Sequence, residues 1–327
     1  MRNWLLAEAE QSIHLRGMQT LFLGRSQLRS SRLAYGCWRI ARTGQPSTDY
    51  QTARTAVLAA IESGYTTFDH ADIYCSGRAE EVFGKLLREL KSGRDRMVIT
   101  TKCGIRLPGD PEKDSPYRYD FSREYIVGQA EGSLHRLGIE QIDLYQLHRP
   151  DFLMDVGEVA AAFDQLHREG KVGEFGVSNF APLQVALLQS ALPRPLIVNQ
   201  IELSLAALAP LTDGTLDQCQ QLGISPLAWS PLGGGQLAGG ALDILPHQQK
   251  YRVADTLAIL DQIAQSRGVT RVAIAIAWLL KHPSNIIPII GSTNPDRIRE
   301  AATATQVELS REEWYRLLTV ARDEPLP

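Results

Sequence analysis

Two kinds of hydrophobic spacing alternate along the chain. Short runs of consecutive apolar, β-branched or aromatic residues read as buried strands. Longer stretches with an apolar position every three or four residues read as helices. The strand pattern occurs at 33–36, 66–69, 98–101, 142–147, 173–177, 196–200, 224–229 and 286–290. Helical spacing lies between these runs. The first helix is predicted to open on a capping box, Thr48-Asp49-Tyr50-Gln51, and to end near Ser63-Gly64. Others follow at 80–90, 122–137, 156–169, 181–189 and 213–222, with Gly138, Gly170 or Gly223 just after several of them, where helices commonly stop.

Strand–helix units repeating every 30–40 residues or so argue for a parallel sheet with helical crossovers. Eight such strands argue for closure into a (β/α)8 TIM barrel rather than an open doubly wound sheet. No Gly-x-Gly-x-x-Gly follows any of the strands, so the dinucleotide fingerprint of an open sheet is absent. Residues 21–33 have the pattern of a small hairpin capping the barrel floor. Two helices are extra to the alternation, at 253–267 and 312–321, the second opening on the capping box Ser310-x-x-Glu313. Two irregular segments, 103–121 and 230–251, are long enough to be lids or binding loops. Residues 1–17 show no element and read as an N-terminal extension that a chain beginning at Met18 would not need. The remainder, 18–327, reads as a single barrel domain.

Composition narrows the function more than the fold. The chain has 327 residues, 44% hydrophobic and 22% charged, which is a globular profile with ample core. A net charge of −3 offers no basic footprint for nucleic acid. The most apolar run, Val272 to Leu280, is about half a membrane span and is flanked by Arg271 and Lys281. Four cysteines, at 37, 75, 103 and 219, have neither a Cys-x-x-Cys pair nor metal-site spacing, which fits a reducing cytoplasm with the thiols as core residues. Oligomeric state is not readable from these patterns.

The polar residues at the strand ends carry the chemistry. Asp69 ends the second strand, Lys102 directly follows the third, and His148 directly follows the fourth; Tyr74 lies five residues beyond Asp69. In a parallel barrel all carboxyl ends meet on one face, where active sites sit. Lys102 beside Tyr74 is expected to lower the phenol's pKa, and Asp69 to keep the lysine charged and fixed. A neutral His148 would orient a carbonyl oxygen while Tyr74 protonates the developing alkoxide. That is half of carbonyl reduction; the hydride must come from a cofactor. Taken alone, an Asp–Lys pair is an ordinary structural ion pair. His70 and Asp72 raise the thought of a metal site, but strand alternation points neighbouring side chains to opposite faces, so no metal is expected.

With these residues in place, the chain resembles the aldo-keto reductases from about Leu21 to its end. The matching motifs are Phe68-Asp69-His70-Ala71-Asp72-Ile73-Tyr74, Lys102, Leu147-His148-Arg149-Pro150, Gly176-Val177-Ser178-Asn179-Phe180, Asn199-Gln200, Trp229-Ser230-Pro231-Leu232-Gly233 and Gly291-Ser292. The closest likeness is to the bacterial oxidoreductase branch with His-Arg-Pro-Asp after the fourth strand. The resemblance implies an NADPH-dependent reductase of small carbonyl compounds, with Tyr74 as acid, Lys102 and Asp69 supporting it, and His148 orienting the substrate. It also implies that Ser178, Asn179 and Gln200 bond the nicotinamide carboxamide, that Trp229 stacks on its ring, and that Ser230, Leu232 and Gly233 approach the pyrophosphate. Ser292, Thr293 and Arg297 match residues around the adenosine 2′-phosphate, and Glu300 one near the adenine. Gly291 replaces a frequent cation and Ala301 a frequent asparagine, so NADPH is expected ahead of NADH without a full set of phosphate ligands. Trp38, Tyr117, Tyr119 and Phe152 are candidates for the substrate pocket.

Two other classes compete. A barrel lyase would use Lys102 as a Schiff-base nucleophile, but that leaves Tyr74, Trp229 and the Ser292–Arg297 segment without a role. A cofactor-binding sensor or regulatory subunit would keep the fold and turn over slowly, and the intact set of four polar residues argues against loss of chemistry.

Overall fold

All eight expected strands close into one parallel barrel in the computed structural model, which describes residues 18–90, 93–240 and 244–326. The N-terminal extension, 1–17, lies outside the described residues. The chain first forms an antiparallel hairpin, β1 (Thr20–Phe22) with β2 (Arg29–Ser31). The barrel then runs β3 (Ala34–Gly36), β4 (Thr67–Asp69), β5 (Val98–Cys103), β8 (Ile142–Leu147), β9 (Val172–Ser178), β10 (Val198–Glu202), β11 (Ser225–Trp229) and β12 (Ile287–Ile290), with β12 pairing back to β3. The two intervening strands, β6 (Ile105–Arg106) and β7 (Arg118–Tyr119), form a separate two-stranded flap in the first of the long loops.

The hairpin closes the amino end of the barrel. Leu23 at its turn is fully buried with Ala34, Val98, Leu144, Val198, Leu227 and Ile287, all from the barrel strands. The neighbouring Gly24 has φ of +54° and donates its N–H to Ser225 Oγ at 2.8 Å. A Cβ there would meet the Ile197 carbonyl oxygen at 2.6 Å, so only glycine allows this approach. With one end filled, the open face is the carboxyl one.

The outer helices are α1 (Pro46–Glu62), α2 (Arg78–Glu89), α3 (Arg123–Leu137), α4 (Val156–Arg168), α5 (Pro182–Ala191), α6 (Thr215–Leu222), α7 (Ala254–Arg267), α8 (Arg271–Leu280), α9 (Pro295–Thr303) and α10 (Arg311–Arg322). Two details depart from expectation. The first helix starts at Pro46, not at a capping box on Thr48, and no side chain caps it. Proline's fixed φ suits the first helical position. Asp49, expected inside that box, is buried and instead accepts from Thr43 N at 2.9 Å and pairs with Arg78. Helix α9 was not separately expected, and it follows the last strand. The predicted C-terminal capping box is present: Glu313 N bonds Ser310 Oγ at 3.2 Å and Ser310 N bonds Glu313 Oε2 at 2.7 Å. No helix among the described residues is long and apolar enough to cross a membrane.

Candidate active site

Backbone pairing continues past the strand ends and sets the site residues side by side. His70 N bonds Thr100 O at 2.8 Å, Asp72 N bonds Lys102 O at 3.0 Å, and His148 N bonds Cys103 O at 2.8 Å. The loop after β4 therefore folds over the end of β5, and the loop after β8 is tied to the end of β5. Asp69, Lys102 and His148 are buried, while Tyr74 is half-buried at the opening.

Lys102 is the centre of the arrangement. Its ammonium donates to Asp69 Oδ2 at 2.8 Å, to the His70 carbonyl at 2.7 Å and to the Tyr74 hydroxyl at 3.1 Å. Three donors thus meet three acceptors on a nitrogen that no water reaches. Asp69 is held from the other side by Gln200, whose Nε2 donates to Oδ1 at 2.8 Å. Burial works to lower the Lys102 pKa, but Asp69 and Tyr74 outweigh it and the net shift is upward. The lysine is a fixed cation.

Tyr74 corrects one expectation. Burial raises its pKa, and Lys102 pulls it back only in part, so the phenol sits above its ordinary value rather than below it. Its oxygen accepts from the lysine, which aims its own proton elsewhere. His148 packs edge-on to the Tyr74 ring, centroids 5.8 Å apart. Burial, followed by Lys102 and Arg149, holds its pKa well below the usual value, so the imidazole is neutral as expected. Its Nδ1 is buried without a partner among the described residues, leaving Nε2 as the nitrogen open to the cavity.

The nicotinamide candidates form a hydrogen-bonded chain of their own. Trp229 Nε1 donates to Asn179 Oδ1 at 2.9 Å, and Asn179 Nδ2 donates to Ser178 Oγ at 2.7 Å and to His148 O at 3.3 Å. Ser178 Oγ in turn donates to Gln200 O at 2.9 Å. Asn179 holds a φ of +62° and Ser230 one of +49°. Gly233, Gly234 and Gly235 follow in left-handed backbone, and Leu232 packs between two parts of the core. Beyond β12, Ser292 and Thr293 lead to Asn294, which caps α9 by accepting from Asp296 N and Arg297 N. Arg297 is exposed in that first helical turn, and Glu300 lies one turn on.

The substrate-pocket candidates split into two groups. Trp38 lies against Tyr74 with centroids 6.3 Å apart. Tyr117, Tyr119 and Phe152 form a chain of rings, 5.8 and 6.4 Å apart, with Phe152 88% exposed at the rim. Sequence reasoning missed three contacts around the site. Arg39 Nη1 reaches the Gly291 carbonyl at 3.4 Å, bringing a cation from the loop after β3 to the position where residue 291 itself has none. Gln200 touches Asp69, and Arg149 covers the Trp229 ring. Only long-range register could have found the first two. Among the described residues no three His, Cys, Asp or Glu side chains are grouped to hold a metal ion.

Comparison with known proteins gives a consistent picture. A model described as the aldo/keto reductase family matches residues 32–321. The 6-dehydroglucose reductase of Agrobacterium fabrum is 41% identical over 305 residues, covering 93% of this chain and 98% of that one. Oxidoreductase YdhF of Escherichia coli is 40% identical over 301 residues, covering 91% and 95%. Among solved structures, the glycerol dehydrogenase of Gluconobacter oxydans superposes with a TM-score of 0.81 at 26% identity, covering 94% of this chain and 97% of that one.

Proposed function

The chain belongs to the aldo/keto reductase family, and on that premise we propose that it reduces the carbonyl of a small, hydroxyl-bearing aldehyde or ketone to an alcohol, using NADPH. The observation that carries this reading is the triple bond set of Lys102: its third donor ends on the Tyr74 oxygen, so the phenol's own proton is left for a substrate. A carbonyl oxygen held by His148 Nε2–H and the Tyr74 hydroxyl takes that proton as negative charge develops on it. The phenolate left behind faces the Lys102 ammonium, which Asp69 and Gln200 keep in place. When bound, the nicotinamide supplies the hydride that no side chain can.

The residues present fit that cofactor. Trp229 offers a flat indole anchored through its N–H, with Arg149 over one face so that a nicotinamide would take the other or displace it, and Ser178 and Gln200 bring polar groups to the same wall. Asn179 already has both amide ends engaged, so its part in holding a carboxamide requires one of those bonds to be exchanged. The left-handed turn at Gly233–Gly235 lets backbone approach a pyrophosphate, and the start of α9 with Arg297 suits a 2′-phosphate. The sugar-like substrate class is taken from the 6-dehydroglucose reductase likeness.

A Schiff base at Lys102 is disfavoured by the same geometry. The amine would have to lose its proton and turn away from three acceptors, against an upward pKa shift. Steady-state NADPH and NADH oxidation with a panel of hydroxyaldehydes, ketones and quinones tests the proposal. Turnover with NADPH and hydroxyaldehydes is the expected result. No oxidation of either cofactor, with borohydride trapping a substrate on Lys102, would overturn it.

A further inference from the structure

Arg149 follows His148 at the mouth of the barrel, and its Cζ lies 5.4 Å from the centre of the Trp229 ring. Its charge is near enough to act on Tyr74, His148 and Tyr117. Among the described residues nothing accepts a hydrogen bond from it, and the indole face is the one group its charge is seen to engage. Among the other half-buried arginines, Arg106 pairs with Asp110 and Asp120, Arg136 with Glu80 and Arg78 with Asp49, while Arg32 donates to the Leu280 carbonyl. The nearby carboxylates are taken. Asp151 accepts from Phe121 N at 3.1 Å and Leu153 N at 2.9 Å, and Glu202 holds His247 and Gln248.

A planar fork of donors without an acceptor, beside the proton donor and partly shielded from salt, is a ready seat for an oxyanion. Its hold on the indole is weaker than charge-assisted hydrogen bonds to an anion, so such a ligand would win it over. We propose that Arg149 is a specificity-determining residue that grips an anionic group, carboxylate or phosphate, at the far end of the carbonyl substrate. The identity of the reacting group rests on the reductase reading above; the anion site does not. The cofactor's own phosphates are the other source of the same chemistry.

The test compares kcat/KM for D-glyceraldehyde 3-phosphate over D-glyceraldehyde, and for succinate semialdehyde over butanal, in the wild type, Arg149→Met and Arg149→Lys. The wild type is expected to favour the anionic member of at least one pair. Arg149→Met should cut that preference about 10–100-fold through KM, the size of a lost charge-assisted hydrogen bond. Arg149→Lys should restore part of it, because the charge returns without the fork. Calorimetric titration of the full chain with sn-glycerol 3-phosphate, with and without NADP⁺, reads the site apart from turnover and should lose its signal in Arg149→Met. Binding through Arg149 in a protein that oxidises no NADPH would uphold the anion site and sink the reductase reading. Reduction of glyceraldehyde and butanal with no anionic preference would do the reverse. An NADPH affinity that falls as far as the substrate preference would assign the arginine to the cofactor and overturn the proposal.

Discussion

Two titratable side chains next to the site are buried and poorly paired. Both ring nitrogens of His70 lack partners among the described residues, and the Asp72 carboxyl has at most a weak contact with the Ile73 N–H. Burial, then the Lys102 charge, pushes the His70 pKa down to about 3, and burial, then Glu80, pushes Asp72 up to about 8. Each is therefore neutral in the middle of the pH range, and the signs follow from that. Between about pH 4 and pH 8 the native Asp72 carboxyl keeps a proton that the unfolded chain has lost, so its contribution to stability falls as pH rises. Below about pH 6.5 the unfolded His70 imidazole gains a proton that the native one refuses, so stability also falls as pH drops. Asp72→Asn keeps the neutral shape and cannot ionise. Melting temperatures measured from pH 6 to pH 9 should decline less steeply in Asp72→Asn than in the wild type. Equal slopes would show that the carboxyl is ionised or solvated in the native state.

At the scale of elements, the C-terminal helix is docked by a reciprocal pair. Trp278 of α8 and Trp314 of α10 stack with centroids 5.1 Å apart, and each indole N–H bonds the other's carbonyl, at 3.2 and 3.0 Å. Trp314→Ala should cost roughly 2–4 kcal/mol by denaturant unfolding, below the top of the range for lost buried aromatics because Trp314 is half-buried. A loss under about 0.5 kcal/mol, the size of an ordinary surface change, would mean that α10 is not held there. The eight barrel strands were legible because each is a dense apolar run, and Ser310-x-x-Glu313 was legible because a capping box is local. Helix α9 was not, because Pro295–Thr303 is short, polar and buries chiefly Ile298 and Ala301. The shifted start of α1 was missed because Thr48 and Gln51 match a cap by type, whereas Pro46 follows an N-cap at Gln45 and starts the helix three residues earlier. Contacts across the barrel, such as Gln200 to Asp69, are separated by 131 residues, and no local pattern encodes them. The direction of the Tyr74 shift was misread because a neighbouring cation is visible in sequence and the depth of burial is not.

For the whole molecule, a barrel sealed at its floor presents one working face, and the proposed cofactor contacts run across it from Ser178 to Arg297. Arg297→Ala should weaken NADPH binding by about 1.5–3 kcal/mol, as for a lost bond to a charged group, with NADH affected far less. Fluorescence titration with both cofactors checks this, and equal losses would place Arg297 outside the phosphate site. The proposed acid, Tyr74, is a phenol whose pKa is raised, so its proton is present throughout the neutral range, and reduction should not fade until well into the alkaline range. The central claim is that Tyr74 gives that proton. Its most direct test is the rate of the chemical step in single turnover, with NADPH saturating, for wild type and Tyr74→Phe. The hydroxyl is lost while the ring and the cofactor contacts remain, so the step should slow by about 10²–10⁴ with NADPH affinity little changed. A Tyr74→Phe enzyme that reduces the aldehyde within a few-fold of the wild-type rate would contradict the account.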